Sequence, residues 1–133
     1  MNHVLPTYKG ENLRNQPKYN FFKNTTYALK GLQDMIATES SFKIELLITA
    51  ILLPVIIFLE TSLTYKLLLF ISLFGMLIAE AINSAIERVV DLVTLEHHPM
   101  AGKAKDVGSS IVFLSIALFV VVWGSILYDI FMG

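Results

Sequence analysis

The sequence contains no cysteine, and charged residues make up only 16% of its 133 positions. The lack of thiols excludes disulfides, thiolate catalysis and cysteine-ligated metal sites within these residues. Ten basic residues nearly balance eleven acidic ones, which gives a net charge of −1, and they form no basic cluster. A nucleic-acid partner is therefore not expected, because proteins that bind nucleic acid carry a positively charged patch.

Hydrophobic residues, in contrast, make up 55% of the sequence, and the mean hydropathy is +0.65. A soluble domain of this size needs more polar surface than this composition supplies. The composition therefore favours an all-α integral membrane protein with short loops. Residues 1–43 contain no apolar run of signal-peptide length, so we expect no cleavage by that route.

Apolar periodicity divides the chain into a tail and one membrane domain. The tail, residues 1–18, is polar, carries two prolines and has no periodicity. After it, apolar residues recur at steps of three and four, which predicts an amphipathic helix on the membrane surface. Three apolar segments of roughly membrane-spanning length follow. The domain at 19–133 thus comprises a surface helix at about 19–40 and transmembrane helices at about 44–60, 65–94 and 106–130, the second extending into the cytoplasm.

The basic residues predict the orientation of these helices. Six of the ten precede the first predicted span, and three lie between the second and the third. The first hairpin carries only Lys66, and no basic residue follows Tyr128. By the positive-inside rule, the N-terminus and the segment before the third span are cytoplasmic, and the C-terminus is periplasmic or external.

A stripe of polar side chains follows the second apolar run, in the segment AEAINSAIERVVDLV. On an α-helix these side chains all lie within about 60° of Glu80, the first of them; they are Glu80, Asn83, Ser84, Glu87 and Asp91. Glu80 lies about 21 Å along the helix from Lys66, still inside a hydrocarbon core about 30 Å thick. An acid there costs roughly 2.5 kcal/mol, which favours a functional role. A solvated helix end and a polar contact between subunits are the structural alternatives.

The next stretch, HHPMAGKAKDVGSS, is predicted to be a loop that ends the second helix. Its lysines, Lys103 and Lys105, lie beside glycines and suit a phosphate group, although the positive-inside rule explains them equally well. Asp106 precedes an apolar segment, which predicts either an N-cap or a ligand contact. His97 and His98 are adjacent rather than four residues apart, which disfavours a paired-histidine metal site.

Glu39 stands between the surface helix and the first span, where it is either a helix-end acid or a functional one. If it approaches the level of Glu87 from its own helix, the two carboxylates and phosphate oxygens would suit Mg²⁺.

These motifs resemble those of the prokaryotic diacylglycerol kinase family. The match consists of AEAINSAIERVVDLV and HHPMAGKAKDVGSS, with YALKGL and ESSFKIE upstream, and it covers roughly residues 19–130. The resemblance implies a homotrimeric bundle in the bacterial cytoplasmic (inner) membrane, with active sites shared between subunits. The implied reaction is direct transfer of the γ-phosphate of MgATP to a lipid alcohol, converting diacylglycerol to phosphatidic acid.

The resemblance also implies a role for each matching residue. Glu80 would be the catalytic base, supported by Asn83, and Glu39 and Glu87 would hold the metal. The lipid would lie beside Glu80, Phe42 and Ser109. The implied nucleotide contacts are Tyr27, Glu39, Glu87, Glu96, His98, Lys105 and Asp106. Many relatives have an arginine near the start of the surface helix where this chain has Asn20, so that contact would be missing or supplied by Lys18 or Lys23.

Two alternatives remain open from the sequence. An undecaprenol kinase would have the same architecture and the same residues. A non-enzymatic oligomer, such as a small channel with a ring of Glu80 side chains that binds cations, would also place acids at this depth.

Overall fold

The computed structural model describes residues 19–133, and these residues form four α-helices without any strand. The helices are α1 (Phe21–Thr38), α2 (Ser40–Phe58), α3 (Leu63–Val93) and α4 (Pro99–Met132). The predicted all-helical architecture is confirmed, and the predicted tail at 1–18 lies outside the described residues.

The last three helices are apolar and long enough to cross a membrane. At 1.5 Å per residue, α3 and α4 extend about 46 and 51 Å, well beyond a hydrocarbon core of about 30 Å. Both helices therefore protrude from a bilayer. Their polar residues cluster where the C-terminal part of α3 meets the N-terminal part of α4, a region that we call the polar end.

Side chains cap the start of three helices by accepting hydrogen bonds from backbone N–H groups that lack a partner within the helix. Asn20 Oδ1 accepts from the N–H of Lys23 at 3.2 Å, and Ser62 Oγ accepts from Tyr65 at 3.3 Å. Asn20, where the resemblance implied an arginine, therefore serves as the N-cap of α1.

Helix α4 begins earlier than the sequence predicted, at Pro99 rather than near residue 106. Proline is well suited to the first helical turn, and His98 Nδ1 accepts a hydrogen bond from the N–H of Met100 at 3.2 Å. The predicted loop is thus mostly helix. Asp106 lies two turns inside α4, so its interpretation as an N-cap was wrong, and its carbonyl accepts a bond from Ser110 Oγ.

The apolar core lies between α3 and its neighbours α2 and α4, away from the polar end. Leu69 and Leu73 of α3 are fully buried there, against Ile56 of α2 and Trp123 and Ile126 of α4. Each such side chain contributes about 1.5–3 kcal/mol when buried from water, but packing rather than water exclusion stabilises the part within lipid. Trp123 Nε1 also donates to the carbonyl of Leu69 at 3.3 Å.

Polar side chains join the helices at the end opposite the polar end. Tyr65 Oη donates to Asp129 Oδ2 at 2.9 Å and so links the start of α3 to the end of α4. Lys66 Nζ donates to the carbonyl of Ile57 at 2.8 Å, near the end of α2. These contacts fix the alignment of the three long helices along their common axis.

The chain turns from α1 to α2 at a single residue, Glu39. Its backbone is extended, with φ −103° and ψ 112°. Its N–H donates to Met35 O at 2.8 Å and its carbonyl accepts from Lys43 N at 3.2 Å, so it ends one helix and begins the next. Its side chain makes no capping hydrogen bond to α2 and therefore reaches away from its own backbone.

Candidate active site

A polar cavity of about 320 Å³ opens between α2, α3 and α4 at the polar end. Three carboxylates line it, one from the α1–α2 corner and two from α3. The lining residues are Glu39, Ser41, Glu80, Asn83, Ser84, Glu87, Ser109 and Val112. Five of the residues predicted from the sequence thus meet in one place: Glu39, Glu80, Asn83, Glu87 and Ser109.

The polar stripe on α3 divides into two parts. Glu80, Asn83 and Ser84 are buried, with Glu80 only 6% exposed, whereas Glu87 is half-buried at the cavity edge. Asp91, one turn further on, lies outside the cavity and pairs with Lys105 at 2.6 Å. The stripe is therefore only partly a solvated helix end.

Asn83 contacts one of the two carboxylates of α3, that of Glu87. Its Nδ2 donates to Glu87 Oε1 at 3.1 Å, and its buried Oδ1 has no hydrogen-bond donor among the described residues. Gly108 of α4 lies against that oxygen, because a Cβ at Gly108 would come within 2.5 Å of it. Only a glycine at 108 lets the two helices approach this closely with Asn83 in this orientation.

The carboxylate of Glu39 is held by two donors on one oxygen. Ser84 Oγ donates to Oε1 at 2.8 Å, and Arg88 Nη2 donates to the same atom at 3.1 Å. These hydrogen bonds, Ser84 first and Arg88 second, hold the pKa of the Glu39 carboxyl below its usual value. Glu39 is therefore ionised at neutral pH, as a metal ligand must be.

Sequence reasoning missed Arg88 as part of this site, and it missed the burial of Glu45. Glu45 is 7% exposed on the inner face of α2, and its Oε2 has no donor among the described residues. The sequence spacing around Arg88 and Glu45 gives no sign that either side chain contacts the site or is buried. Arg88 and Glu39 are 49 residues apart, so only the packing of α3 against the α1–α2 corner reveals their contact.

The residues predicted to contact the nucleotide are more widely separated than those that line the first cavity. Glu96, His98 and Lys105 line a second cavity of about 270 Å³ between the end of α3 and the start of α4. Tyr27 lies exposed on α1, and Asp106 lies exposed on α4, outside both cavities. Phe42, predicted to lie beside lipid, is buried on α2 at 3% exposure.

The donors of the first cavity fit Mg²⁺. Within residues 19–133, no group of three His, Asp or Glu side chains is arranged to enclose a metal ion. Mg²⁺ does not need such a group, since it usually binds one or two carboxylates, substrate phosphates and waters. Glu39 and Glu87, which both line the cavity, supply this number of carboxylates.

Comparison with known proteins identifies the family. A family model for prokaryotic diacylglycerol kinase matches residues 26–127. The chain belongs to the prokaryotic diacylglycerol kinase family. The diacylglycerol kinase of Haemophilus influenzae is 36% identical over 105 residues, which cover 79% of this chain and 89% of that protein. The diacylglycerol kinase of Escherichia coli K12 is 37% identical over 111 residues, which cover 82% of this chain and 89% of that protein.

A relative with another named substrate also matches. The undecaprenol kinase of Bacillus subtilis is 34% identical over 92 residues, which cover 69% of this chain and 75% of that protein. The resemblance seen in the motifs is thus confirmed. The chain is a lipid kinase and, given its three apolar helices, an integral membrane protein.

Proposed function

We propose that the chain phosphorylates diacylglycerol to phosphatidic acid by direct transfer of the γ-phosphate of ATP. The observation that carries this proposal is the meeting of three carboxylates, Glu39, Glu80 and Glu87, in one cavity at the polar end of apolar helices. This position lets a lipid hydroxyl enter from the bilayer while nucleotide arrives from water. Relatives named diacylglycerol kinase support the choice of lipid.

Glu80 is the general base in this proposal. As the lipid hydroxyl oxygen forms its bond to the γ-phosphorus, the bond to the β–γ bridging oxygen breaks and ADP leaves. The hydroxyl proton passes to Glu80, which is buried at the inner part of the cavity. Ser109 lines the same cavity from α4, where it can bind the lipid headgroup.

Glu39 and Glu87 would hold Mg²⁺, which supplies neutralisation of the phosphate charge when bound. Asn83 orients Glu87 through its 3.1 Å hydrogen bond. The nucleotide would extend from here toward the second cavity, with Glu96, His98 and Lys105, while Tyr27 and Asp106 contact it from α1 and α4. Lys105 now bonds Asp91, so it would exchange that carboxylate for a phosphate oxygen.

The arrangement in the membrane follows from charge and exposure. In this proposal the chain lies in the inner membrane with the polar end and the N-terminus in the cytoplasm and the C-terminus in the periplasm or outside, as the distribution of basic residues favours. The apolar side chains of α1, such as Phe22, Leu29 and Leu32, are exposed in the isolated chain and would rest on the lipid surface. A homotrimer, with active sites shared between subunits, would cover the polar and apolar faces that a single chain leaves open.

Replacing the proposed base tests the function. Purified protein in mixed micelles should transfer labelled phosphate from MgATP to diacylglycerol, and Glu80→Gln should lower kcat by about 10²–10⁴-fold because the proton acceptor is lost. Glu60→Gln makes the same chemical change at the exposed far end of the chain and should leave kcat unchanged. If Glu80→Gln keeps full activity with the oligomer intact, Glu80 is not the base.

Undecaprenol is the second candidate substrate, favoured by the Bacillus subtilis relative. Parallel assays with the two lipids at equal mole fraction decide between them by kcat/KM. A channel is disfavoured by membership in a kinase family. Transfer to neither lipid, together with ion flux in liposomes, would restore the channel interpretation.

A further inference from the structure

Arg88 makes three contacts at the corner between α1 and α2. Its Nη1 donates to Asp34 on α1, and its Nη2 donates to Thr38 Oγ1 and to Glu39 Oε1, each at 3.1 Å. It follows Glu87 directly in sequence. One guanidinium on α3 thus binds the last turn of α1 and the carboxylate of the corner residue.

The geometry at Glu39 leaves one oxygen available. Both donors, Arg88 and Ser84, bind Oε1, and no group among residues 19–133 donates to Oε2. Two donors on one oxygen restrict the rotation of the carboxylate and so limit the directions in which Oε2 can point. Glu39 lines the polar cavity together with Glu87.

We propose that Arg88 is a positioning residue for the cation site. It holds Glu39 through Oε1 so that Oε2 is preorganised to bind the divalent cation together with Glu87. This inference rests on the proposed function, which places the cation between those two carboxylates. The fork of the guanidinium matters because it binds α1 and Glu39 at once, which a lysine ammonium on a flexible stem does not reproduce.

The proposal predicts an effect opposite in sign to simple electrostatics. A positive charge next to a cation site repels the cation, so charge alone predicts that Arg88→Gln binds a divalent ion more tightly. If Arg88 only competed with the cation for the Glu39 carboxylate, its removal would also tighten divalent-ion binding. Positioning predicts weaker binding, by about tenfold, as is usual when a residue that orients a metal ligand is lost.

Binding of Mn²⁺ measures the affinity of the cation site independently of catalysis. Free Mn²⁺ is followed by electron paramagnetic resonance in titrations of the purified protein in micelles, with and without a non-hydrolysable ATP analogue. Arg88→Gln should raise the Kd for Mn²⁺ about tenfold, and Arg88→Lys should also raise it because the charge alone is kept. The Mg²⁺ concentration for half-maximal activity should rise in parallel, with kcat changed less.

Three variants serve as controls. Lys30→Gln removes a positive charge from α1 and should leave the Kd unchanged. Asp34→Asn removes the ion pair with Asp34 but leaves Arg88 bonded to Thr38 on α1 and to Glu39, and should change the Kd less than twofold. Adding Arg88→Gln to Glu39→Gln should cause no further loss, because Arg88 acts through Glu39.

Suppose that the wild type phosphorylates lipid but Arg88→Gln binds Mn²⁺ as tightly as the wild type or more tightly. That result overturns the role of Arg88 and leaves the proposed function standing. Arg88→Lys that binds as wild type does, or Asp34→Asn that weakens binding as much as Arg88→Gln, also overturns it. A wild type that neither binds Mn²⁺ nor transfers phosphate overturns both proposals.

Discussion

Gly108 and Asn83 show how one missing Cβ determines the placement of a side chain in the candidate active site. Gly108→Ala would put a carbon 2.5 Å from Asn83 Oδ1, so either α3 and α4 separate or the amide turns away from Glu87. We expect a loss of about 1–3 kcal/mol in stability, as for other overpacked sites, and a lower kcat. Thermal unfolding and phosphoryl transfer in micelles measure the two effects.

Gly124→Ala is the matched control on the same helix. Nothing lies within 4 Å of a Cβ at Gly124, and alanine favours helix over glycine by about 1 kcal/mol. This variant should be as stable as the wild type or more so, with full activity. If Gly108→Ala and Gly124→Ala have equal stability and equal activity, the contact between Gly108 and Asn83 affects neither property.

The sequence predicts residues related by helical period and misses those related by packing. Glu80, Asn83 and Glu87 follow from spacings of three and seven within one helix, which any α-helix converts into a shared face. The bonds from Ser84 and Arg88 to Glu39 join segments about 45–49 residues apart. Local periodicity does not specify which of the acids on a face meets a donor from another helix.

At the level of helices, the hydrogen bond between Tyr65 and Asp129 joins α3 to α4 at the end opposite the active site. Tyr65→Phe removes it and should cost about 1 kcal/mol of stability. Activity should be unaffected, since Glu80 is fifteen residues, about 22 Å, further along α3. Unfolding in micelles and the kinase assay together check this.

Tyr128→Phe is the control for that variant, because Tyr128 is 67% exposed and its hydroxyl bonds to none of the described residues. A Tyr65→Phe protein as stable as Tyr128→Phe would show that the bond contributes nothing. Reduced activity in Tyr65→Phe would mean that the far end of the bundle is coupled to the site.

Helix existence and order were predictable, whereas the start of α4 was not. Long apolar runs identify α2, α3 and α4 because few other structures satisfy every backbone group in lipid. The segment before Asp106 contains a proline and two histidines, which the sequence treats as helix-ending. In the structure His98 caps α4 and Pro99 lies in its first turn, because the same residues that end one helix can begin the next.

For the whole molecule, the proposed trimer predicts a covered surface on α3. Ile82, Ala85, Ile86, Val89 and Val90 form an apolar face on α3, and Val89 is 61% exposed in the isolated chain. Val89 lies two residues beyond Glu87, near the water, where lipid tails do not cover it. Another subunit is the proposed cover.

Val89→Glu should therefore dissociate the oligomer, because burying an unpaired carboxylate at a subunit contact is costly. Sedimentation equilibrium in density-matched detergent gives the protein mass. Leu95→Glu, at a residue 88% exposed beyond the end of α3, should leave the mass unchanged. A monomeric wild type contradicts the trimer, and a Val89→Glu protein of unchanged mass contradicts this face of α3 as the subunit contact.

The corner at Glu39 has a consequence for how the enzyme senses its surroundings. One residue both makes the bend between α1 and α2 and carries a carboxylate of the cavity. No flexible spacer separates these two tasks, so any rocking of α1 against α2 re-aims that carboxylate. If α1 rests on the lipid surface as proposed, changes in lipid packing or membrane curvature would reach the reacting phosphate through this single pivot.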